Sequence, residues 1–364
     1  MVDFAAKIKE FEDELRNTAY NKRTQHSIGL LKAKIARLRE KAVSRASKGG
    51  GGYSYAVRKS GDASVVLVGY PSVGKSTLLN AITNANSEIG SYAFTTLDVV
   101  PGLLEYKHTK IQVLDVPGIL QGAAIGKGRG REVLSVVRNT NMVVFLIDVN
   151  HPEHYPVLQK EVYDTGQRVN QRNPDVKIVK KSRGGINIGT TVKLTKLTKK
   201  TAETILREFR INNADVVIRT NIDSDQLIDV IEGNKHYIPA ITVLSKIDMV
   251  SKEKLAEVKK IVKPDIMVSV KDEINIEELK ELIYKKLNFM SVYCKEARKK
   301  ADLDVPLILK KSSTVRDACN KLHRDFVKNF KCVKVWGKSA KFPGQRLSLR
   351  HILKDGDIFE IHLR

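Results

Sequence analysis

The sequence predicts an α/β protein: a doubly wound, mostly parallel sheet interrupted by a small α+β insert, with a helical hairpin before it and a compact β-rich segment after it. Three observations predict this. Short apolar runs rich in β-branched residues (ASVVLVG, KIQVLDVPG, MVVFLIDV, AITVLSKID, DIMVSV) alternate with helical patterns, and near-continuous apolar strands indicate a parallel sheet covered on both faces. A stretch rich in Thr, Gly and Lys breaks that rhythm between about 170 and 237. Residues 302–364 then carry alternating strands and turn signals around one helix.

Each element has its own signal. Phe4, Ile8, Phe11 and Leu15 recur at helical spacing, as do Ile28, Leu31, Ile35 and Leu38, and polar Asn17–Gln25 turns the chain between two antiparallel helices. The second helix is basic (Lys32, Lys34, Arg37, Arg39, Lys41, Arg45), a solvated face or an RNA-contacting one. Gly49–Gly52 is a flexible break. The strand SVVLV, the helix TLLNAIT, the strands KIQVLD and MVVFLIDV and a helix near Pro156–Arg168 follow. In the insert, alternation in TVKLTKL, a helix near Thr201–Phe209 and a strand at Ala214–Arg219 argue for folding rather than a disordered loop. The sheet resumes at Ile241 and closes with an amphipathic helix, Ile276–Leu287. In the tail, KCVKVWG and DIFEIHL alternate, and a helix spans Thr314–Phe326.

Composition narrows the function. At about 150 residues per domain, 364 residues make two or three domains. Lys and Arg number 64 against 41 Asp and Glu, a net charge of +23 that asks for a polyanionic partner, nucleic acid before membrane. Apolar content of 42% excludes a wholly disordered chain. No apolar run approaches the ~18–20 residues that span a bilayer. The N-terminus has no apolar signal core, and Cys294, Cys319 and Cys332 have no C-x-x-C spacing, which predicts reduced thiols in a cytoplasmic protein. His151 and His154 form a close pair without H-E-x-x-H; a metal could bind there, but they read first as helix-start residues.

The chemistry concentrates in one constellation. Gly69-Tyr70-Pro71-Ser72-Val73-Gly74-Lys75-Ser76-Thr77 contains G-x-x-x-x-G-K-[ST] between a strand and a helix. Its backbone N–H groups can wrap a β-phosphate, Lys75 can reach the β/γ oxygens, and the Ser76 hydroxyl can ligate Mg²⁺. Asp115 ends the third apolar strand, where it can hold the Mg²⁺ shell through water, and the Gly118 N–H can meet the γ-phosphate. Between these motifs, Thr96, in preference to Thr95, is placed to ligate Mg²⁺ only when the γ-phosphate is present, which makes a switch. Lys75, Thr96 and Gly118 are thus the candidate catalytic groups. Ser245-Lys246-Ile247-Asp248 follows a strand, and Asp248 can accept from guanine N1–H and N2–H₂, a donor pair adenine lacks. Ser269-Val270-Lys271 would cap the base from the other side.

The order of these motifs is similar to that of a translation-factor-class GTPase. YAFTTLDVVPG, DVPGILQGAAIGKGRGRE and GYPSVGKSTLLN resemble the Obg superfamily, and within it the developmentally regulated GTP-binding (Drg) proteins. The resemblance covers nearly the whole chain. It implies a basic helical hairpin over 1–60, a G domain over 61–169 and 238–290, an insert over 170–237 resembling a ribosomal-protein domain, and a β-grasp TGS domain over 291–364. It also implies GTP hydrolysis with Mg²⁺ and a link to ribosomes and RNA. Three positions depart from the family pattern. Ser245 replaces the usual Asn, which weakens base binding while Asp248 keeps guanine selectivity. Val270 replaces an Ala. Ser72 stands where some relatives carry an Asn that recruits K⁺, which leaves K⁺ activation open.

Ile119 occupies the position after the D-x-x-G glycine where many small GTPases carry a water-orienting Gln. Intrinsic hydrolysis is therefore expected to be slow, with a regulatory protein partner or another segment completing the site. Lys127, Arg129 and Arg131 could supply a charge there, but a basic cluster reads first as solvated or RNA-facing surface. Lys177–Lys200 holds eight basic residues and no acid. It has no aromatic set, so any RNA contact there is phosphate-led. Trp336 reads as a buried tryptophan before a base-stacking one. The leading expectation is a GTP-hydrolysing switch on ribosomes or translation RNA, against an RNA-binding scaffold that uses nucleotide structurally.

Overall fold

The structure is a computed structural model that describes residues 4–19, 21, 24–47, 61–83, 100–115, 139–296, 299 and 301–364. In chain order its elements begin with α1 (Phe4–Asn17), α2 (Gln25–Ser47), β1 (Ala63–Val68), α3 (Lys75–Ile82), β2 (Val100–Tyr106), β3 (Thr109–Asp115), β4 (Met142–Asp148), α4 (His154–Asp164) and β5 (Gln167–Val169). Next come β6 (Val176–Lys180), β7 (Ile186–Thr190), α5 (Lys199–Glu208), β8 (Ala214–Ile218), α6 (Ser224–Glu232) and β9 (His236–Ile238). Then follow β10 (Ala240–Ser245), α7 (Lys252–Val262), β11 (Ile266–Met267), α8 (Ile276–Lys286), β12 (Phe289–Cys294) and β13 (Leu307–Lys310). The last are α9 (Val315–Leu322), α10 (Arg324–Lys328), β14 (Phe330–Trp336), β15 (Gln345–Leu347) and β16 (Ile358–Leu363).

The chain forms two compact units, one of Met1–Ser54 with Gln171–Tyr237 and one of Tyr55–Asn170 with Ile238–Arg364. The second holds a six-stranded sheet in the order β11-β10-β4-β1-β3-β2, parallel except for the β2 edge. All six residues of β1 are buried, because helices cover both faces. Leu78, Leu79 and Ile82 of α3 and Ile276, Leu279 and Ile283 of α8 pack on one face. Leu158 and Val162 of α4 and Val258 and Val262 of α7 pack on the other. This doubly wound arrangement puts the loops after β1, β3 and β10 at the carboxyl ends of the parallel strands, where such sheets bind ligands.

The same unit carries a five-stranded mixed sheet, β13-β12-β16-β14-β15, with α9 packed on it through Val315, Ala318 and Cys319. The helix expected over Thr314–Phe326 is two helices: it breaks at His323, whose φ of −161° and ψ of 139° are extended backbone. Trp336 is half-buried rather than buried, and its face is covered by the Lys295 ammonium 4.4 Å from the ring centroid. Lys295 in turn pairs with the buried Glu360 at 2.7 Å.

In the first unit, a three-stranded sheet ordered β6-β8-β7 packs against α5 and α6, with Ala202, Ile205, Leu206, Leu227 and Ile228 in its core. Ala33, fully buried in α2, belongs to the same core, so the second helix of the hairpin is a layer of this unit. Its basic face is largely spoken for: Lys32 pairs with Asp225 at 2.6 Å, Arg37 with Glu208 at 2.9 Å and Arg39 with Glu12 at 2.6 Å, while Lys34 lies over Phe11. These contacts tie Lys32, Arg37 and Arg39 into their own unit, while the Arg39 side chain stays 53% exposed, so the face is neither wholly solvated nor closed to an RNA partner. TVKLTKL alternates without forming a strand. Leu197 is buried and Leu194 packs on the core, and Asn221 holds the Thr195 backbone N–H and hydroxyl. The strands of this unit lie at β6, β7 and β8 instead.

Candidate functional site

The loop between β1 and α3 is shaped by two glycines. A Cβ on Gly69 would lie 2.7 Å from the Leu146 carbonyl oxygen and 2.9 Å from Val73 Cγ1, so no side chain fits where the loop leaves the strand. Gly74 sits at φ 97°, immediately before the first turn of α3, and a Cβ there would meet nothing within 4 Å. A left-handed glycine directly ahead of a helix start, with open space beside it, suits an anion cradle. Ser72 is also left-handed, at φ 62°, and Tyr70, Pro71 and Val73 complete the loop, Val73 with its side chain in the core.

Lys75 is buried at the start of α3. Its ammonium donates to the Gly69 and Tyr70 carbonyls, both at 3.0 Å. Burial lowers its pKa, and the Asp115 carboxylate pulls in the opposite direction. Ser76 Oγ donates to Asp115 Oδ2 at 2.5 Å, and Asp115 Oδ1 is buried with no hydrogen-bond partner among the described residues. A buried carboxylate oxygen left unpaired is costly. A hydroxyl and a carboxylate meeting beside an anion cradle form an all-oxygen donor set of the kind Mg²⁺ takes, usually with several waters retained. The residues fit that ion: Ser76 would hold it directly and Asp115 through its water shell. Thr77 faces solvent on α3. Thr96, Thr95, Gly118, Ile119, Lys127, Arg129 and Arg131 lie outside the described residues.

The other half of the site descends from β10. Ser245 is buried, and its Oγ lies 3.1 Å from both the Val73 and the Ile147 carbonyl oxygens. The shorter side chain therefore still ties β10 to the phosphate loop. Lys246, left-handed at φ 58°, donates to the Ser72 carbonyl and to Asp148 Oδ2, both at 2.8 Å. Asp248 lies exposed in a 3₁₀ turn, and the buried Ser269 donates to its Oδ1 at 2.8 Å. Val270 is half-buried and Lys271 exposed beyond it. The sheet thus brings Lys75, Ser76, Asp115, Ser245, Lys246, Asp248 and Ser269 to one edge.

Sequence reasoning missed Asp148 and Asp272. Burial pushes the Asp148 carboxyl up, but the Lys246 ammonium, the Asn150 N–H and nearby positive charge outweigh it and hold it below the ordinary carboxylate range. An acid closing an apolar parallel strand was the available signal. Asp272 takes a longer bond from Ser269 Oγ, 3.4 Å, and its own N–H returns to that oxygen. It had no motif to mark it.

The family described as 50S ribosome-binding GTPase matches residues 64–181, the C-terminal region of the same domain matches 183–289, and the TGS domain matches 290–363. An uncharacterized GTP-binding protein of Methanocaldococcus jannaschii is 55% identical over 98% of this chain and 92% of its own. Developmentally-regulated G-protein 3 of Arabidopsis thaliana is 44% identical over 98% and 97%. Developmentally-regulated GTP-binding protein 2 of Homo sapiens is 40% identical over 98% of each. Among solved structures, the cytosolic domain of L. pneumophila FeoB aligns over 73% of this chain and 74% of its own at 14% identity and a TM-score of 0.36.

Proposed function

The chain belongs to the developmentally regulated GTP-binding protein family, a P-loop GTPase family with a C-terminal TGS domain, and from that premise we propose that it is a Mg²⁺-dependent GTP-hydrolysing switch that acts on ribosomes or translation-associated RNA. The observation that carries the proposal is the Lys75–Ser76–Asp115 cluster at the open N-terminus of α3, with Asp248 at the same sheet edge. Lys75 would move from the Gly69 and Tyr70 carbonyls to the β/γ oxygens and offset charge developing there. Ser76 would hold Mg²⁺ and Asp115 its water shell, and the ion would supply neutralisation of phosphate charge. Thr96 and Gly118 are the proposed γ-phosphate sensors. Asp248, held by Ser269, would accept from the guanine edge. With Ile119 in place of a water-orienting Gln, hydrolysis by the chain alone is slow and a partner raises it.

The RNA half rests on charge and on kinship. All eight basic residues of Lys177–Lys200 are exposed, and the matching family is described as ribosome-binding. Among the described residues no helix is long and apolar enough to cross a membrane, and the proposed setting is the cytoplasm. The test is co-sedimentation with ribosomes at several salt concentrations, with a non-hydrolysable GTP analogue, GDP or no nucleotide. The switch predicts binding favoured by the analogue and hydrolysis accelerated by ribosomes. Binding indifferent to nucleotide would instead support a scaffold. The same hydrolysis assay in K⁺ and in Na⁺ decides whether K⁺ takes part.

A further inference from the structure

The turn from β4 into α4 gathers three metal-ligating side chains outside the nucleotide site. His151, Glu153 and His154 can each offer one ligand atom, and these atoms lie within 4.8 Å of one another. The two imidazoles stack at 5.2 Å with 20° between planes, and His151 Nδ1 lies 3.0 Å from Glu153 Oε1. The backbone holds the turn: His151 N–H donates to Asp148 O at 3.0 Å and His154 N–H to His151 O at 3.3 Å. An independent contact fixes the second imidazole. Tyr70 of the phosphate loop stacks on His154 at 3.8 Å and 17°, so that ring is oriented before any ligand arrives.

We propose that His151, Glu153 and His154 form a binding site for a first-row transition-metal dication such as Zn²⁺, with Tyr70 as the residue that positions His154. Two imidazole nitrogens and one carboxylate oxygen form a borderline donor set, which suits Zn²⁺, Cu²⁺ or Ni²⁺ and discriminates against Mg²⁺ and Ca²⁺. Three protein ligands leave the fourth tetrahedral position to water. Binding replaces the His151–Glu153 hydrogen bond with two metal bonds and needs only side-chain rotation in exposed or half-buried groups. The oxygen-only pair Ser76 and Asp115 is chemically distinct, so the two sites sort hard from borderline ions. The Tyr70 carbonyl also accepts from Lys75 at 3.0 Å. A metal that draws on His154 is therefore felt through Tyr70 at the phosphate loop; this second half rests on the nucleotide reading.

Zn²⁺ titrated into the full chain against a chromophoric chelator, without nucleotide, should show one equivalent bound. His151→Ala and His154→Ala should each weaken it about tenfold or more, and Tyr70→Leu should weaken it less. Co²⁺ as a second probe should give d–d absorption without the thiolate charge-transfer band that cysteine ligation would add. Equal binding by the wild type and both histidine variants, a thiolate band, or no uptake would overturn the site. The thermal midpoint of each histidine variant, expected nearly unchanged, separates loss of ligand from loss of fold, whereas Tyr70 also packs on the core, so Tyr70→Leu is read against its own midpoint. Release of a fluorescent GDP analogue should respond to Zn²⁺ in the wild type and not in His151→Ala. Equal release with and without Zn²⁺ in the wild type would overturn the coupling, whereas failure of the analogue to bind in metal-free Mg²⁺ buffer would strike the nucleotide reading itself.

Discussion

Ser245 shows how much one hydroxyl can carry. It has a single proton and two carbonyl oxygens, of Val73 and Ile147, at 3.1 Å, so it donates to one at a time and bridges the phosphate loop to the sheet. Ser245→Ala should lower stability by about 1 kcal/mol and weaken GDP binding several-fold, measured by urea unfolding and by fluorescent-nucleotide titration; an unmoved urea midpoint would refute the bridge. Glu161 in α4 makes the opposite case. Burial and the nearby Asp164 raise its pKa, and its Oε2 is buried with no hydrogen-bond partner among the described residues. Folding therefore disfavours the charged form: the penalty is present above the folded pKa and disappears as pH falls through the folded and then the unfolded value. Glu161→Gln should raise the melting temperature at pH 7, and the difference from wild type should vanish near pH 4 in a pH series of melting curves.

At the scale of elements, α2 is the informative case. Its apolar stripe and basic residues read as an amphipathic helix paired with α1, and that much is local. Its third partner is not local, because Ala33 meets α5 and α6 across more than a hundred residues of chain. Ala33 is fully buried, so Ala33→Leu adds volume to a closed core and should cost about 1–3 kcal/mol. Chemical denaturation of the full chain checks this, and a loss no larger than that of a surface Ala→Leu would show that α2 does not pack there. The α6 start shows local and tertiary signals agreeing: Asp223 and Gln226 form a capping box, and Ser224 and Leu227 are buried directly behind it.

For the whole molecule, the net charge of +23 is unevenly committed. Lysines and arginines of α2 are paired within their own unit, and Lys181 pairs with Asp215. The remaining basic side chains of 177–200 are exposed, without ion pairs between described residues, and have no interleaved aromatics. Under the proposed function, contact with RNA through them would be phosphate-led. Lys177→Glu with Lys180→Glu should weaken binding to ribosomes or RNA and reduce the slope of log K against log salt by about 1.5, since each phosphate contact contributes about 0.7–0.9. The slope is read from binding isotherms between low and physiological salt; an unchanged slope would remove these lysines from the contact.

Local chemistry determined a good part of this protein on its own. The parallel sheet, the phosphate loop and the turn that follows β10 were legible because an apolar strand, a glycine that must turn left-handed and a helix start are all encoded within ten or so residues. Gly69, Gly74, Lys75, Ser76 and Asp115 follow from that grammar. Tertiary structure decided what depends on partners far apart in sequence: that α2 is a layer of the insert's core, that TVKLTKL is pinned loop rather than strand, that Asp148 receives Lys246, and that Tyr70 reaches across to His154. The physical reason is the range of the interaction. Backbone propensity and periodicity act within a few residues, whereas burial and ion pairing are set by whatever the fold brings alongside.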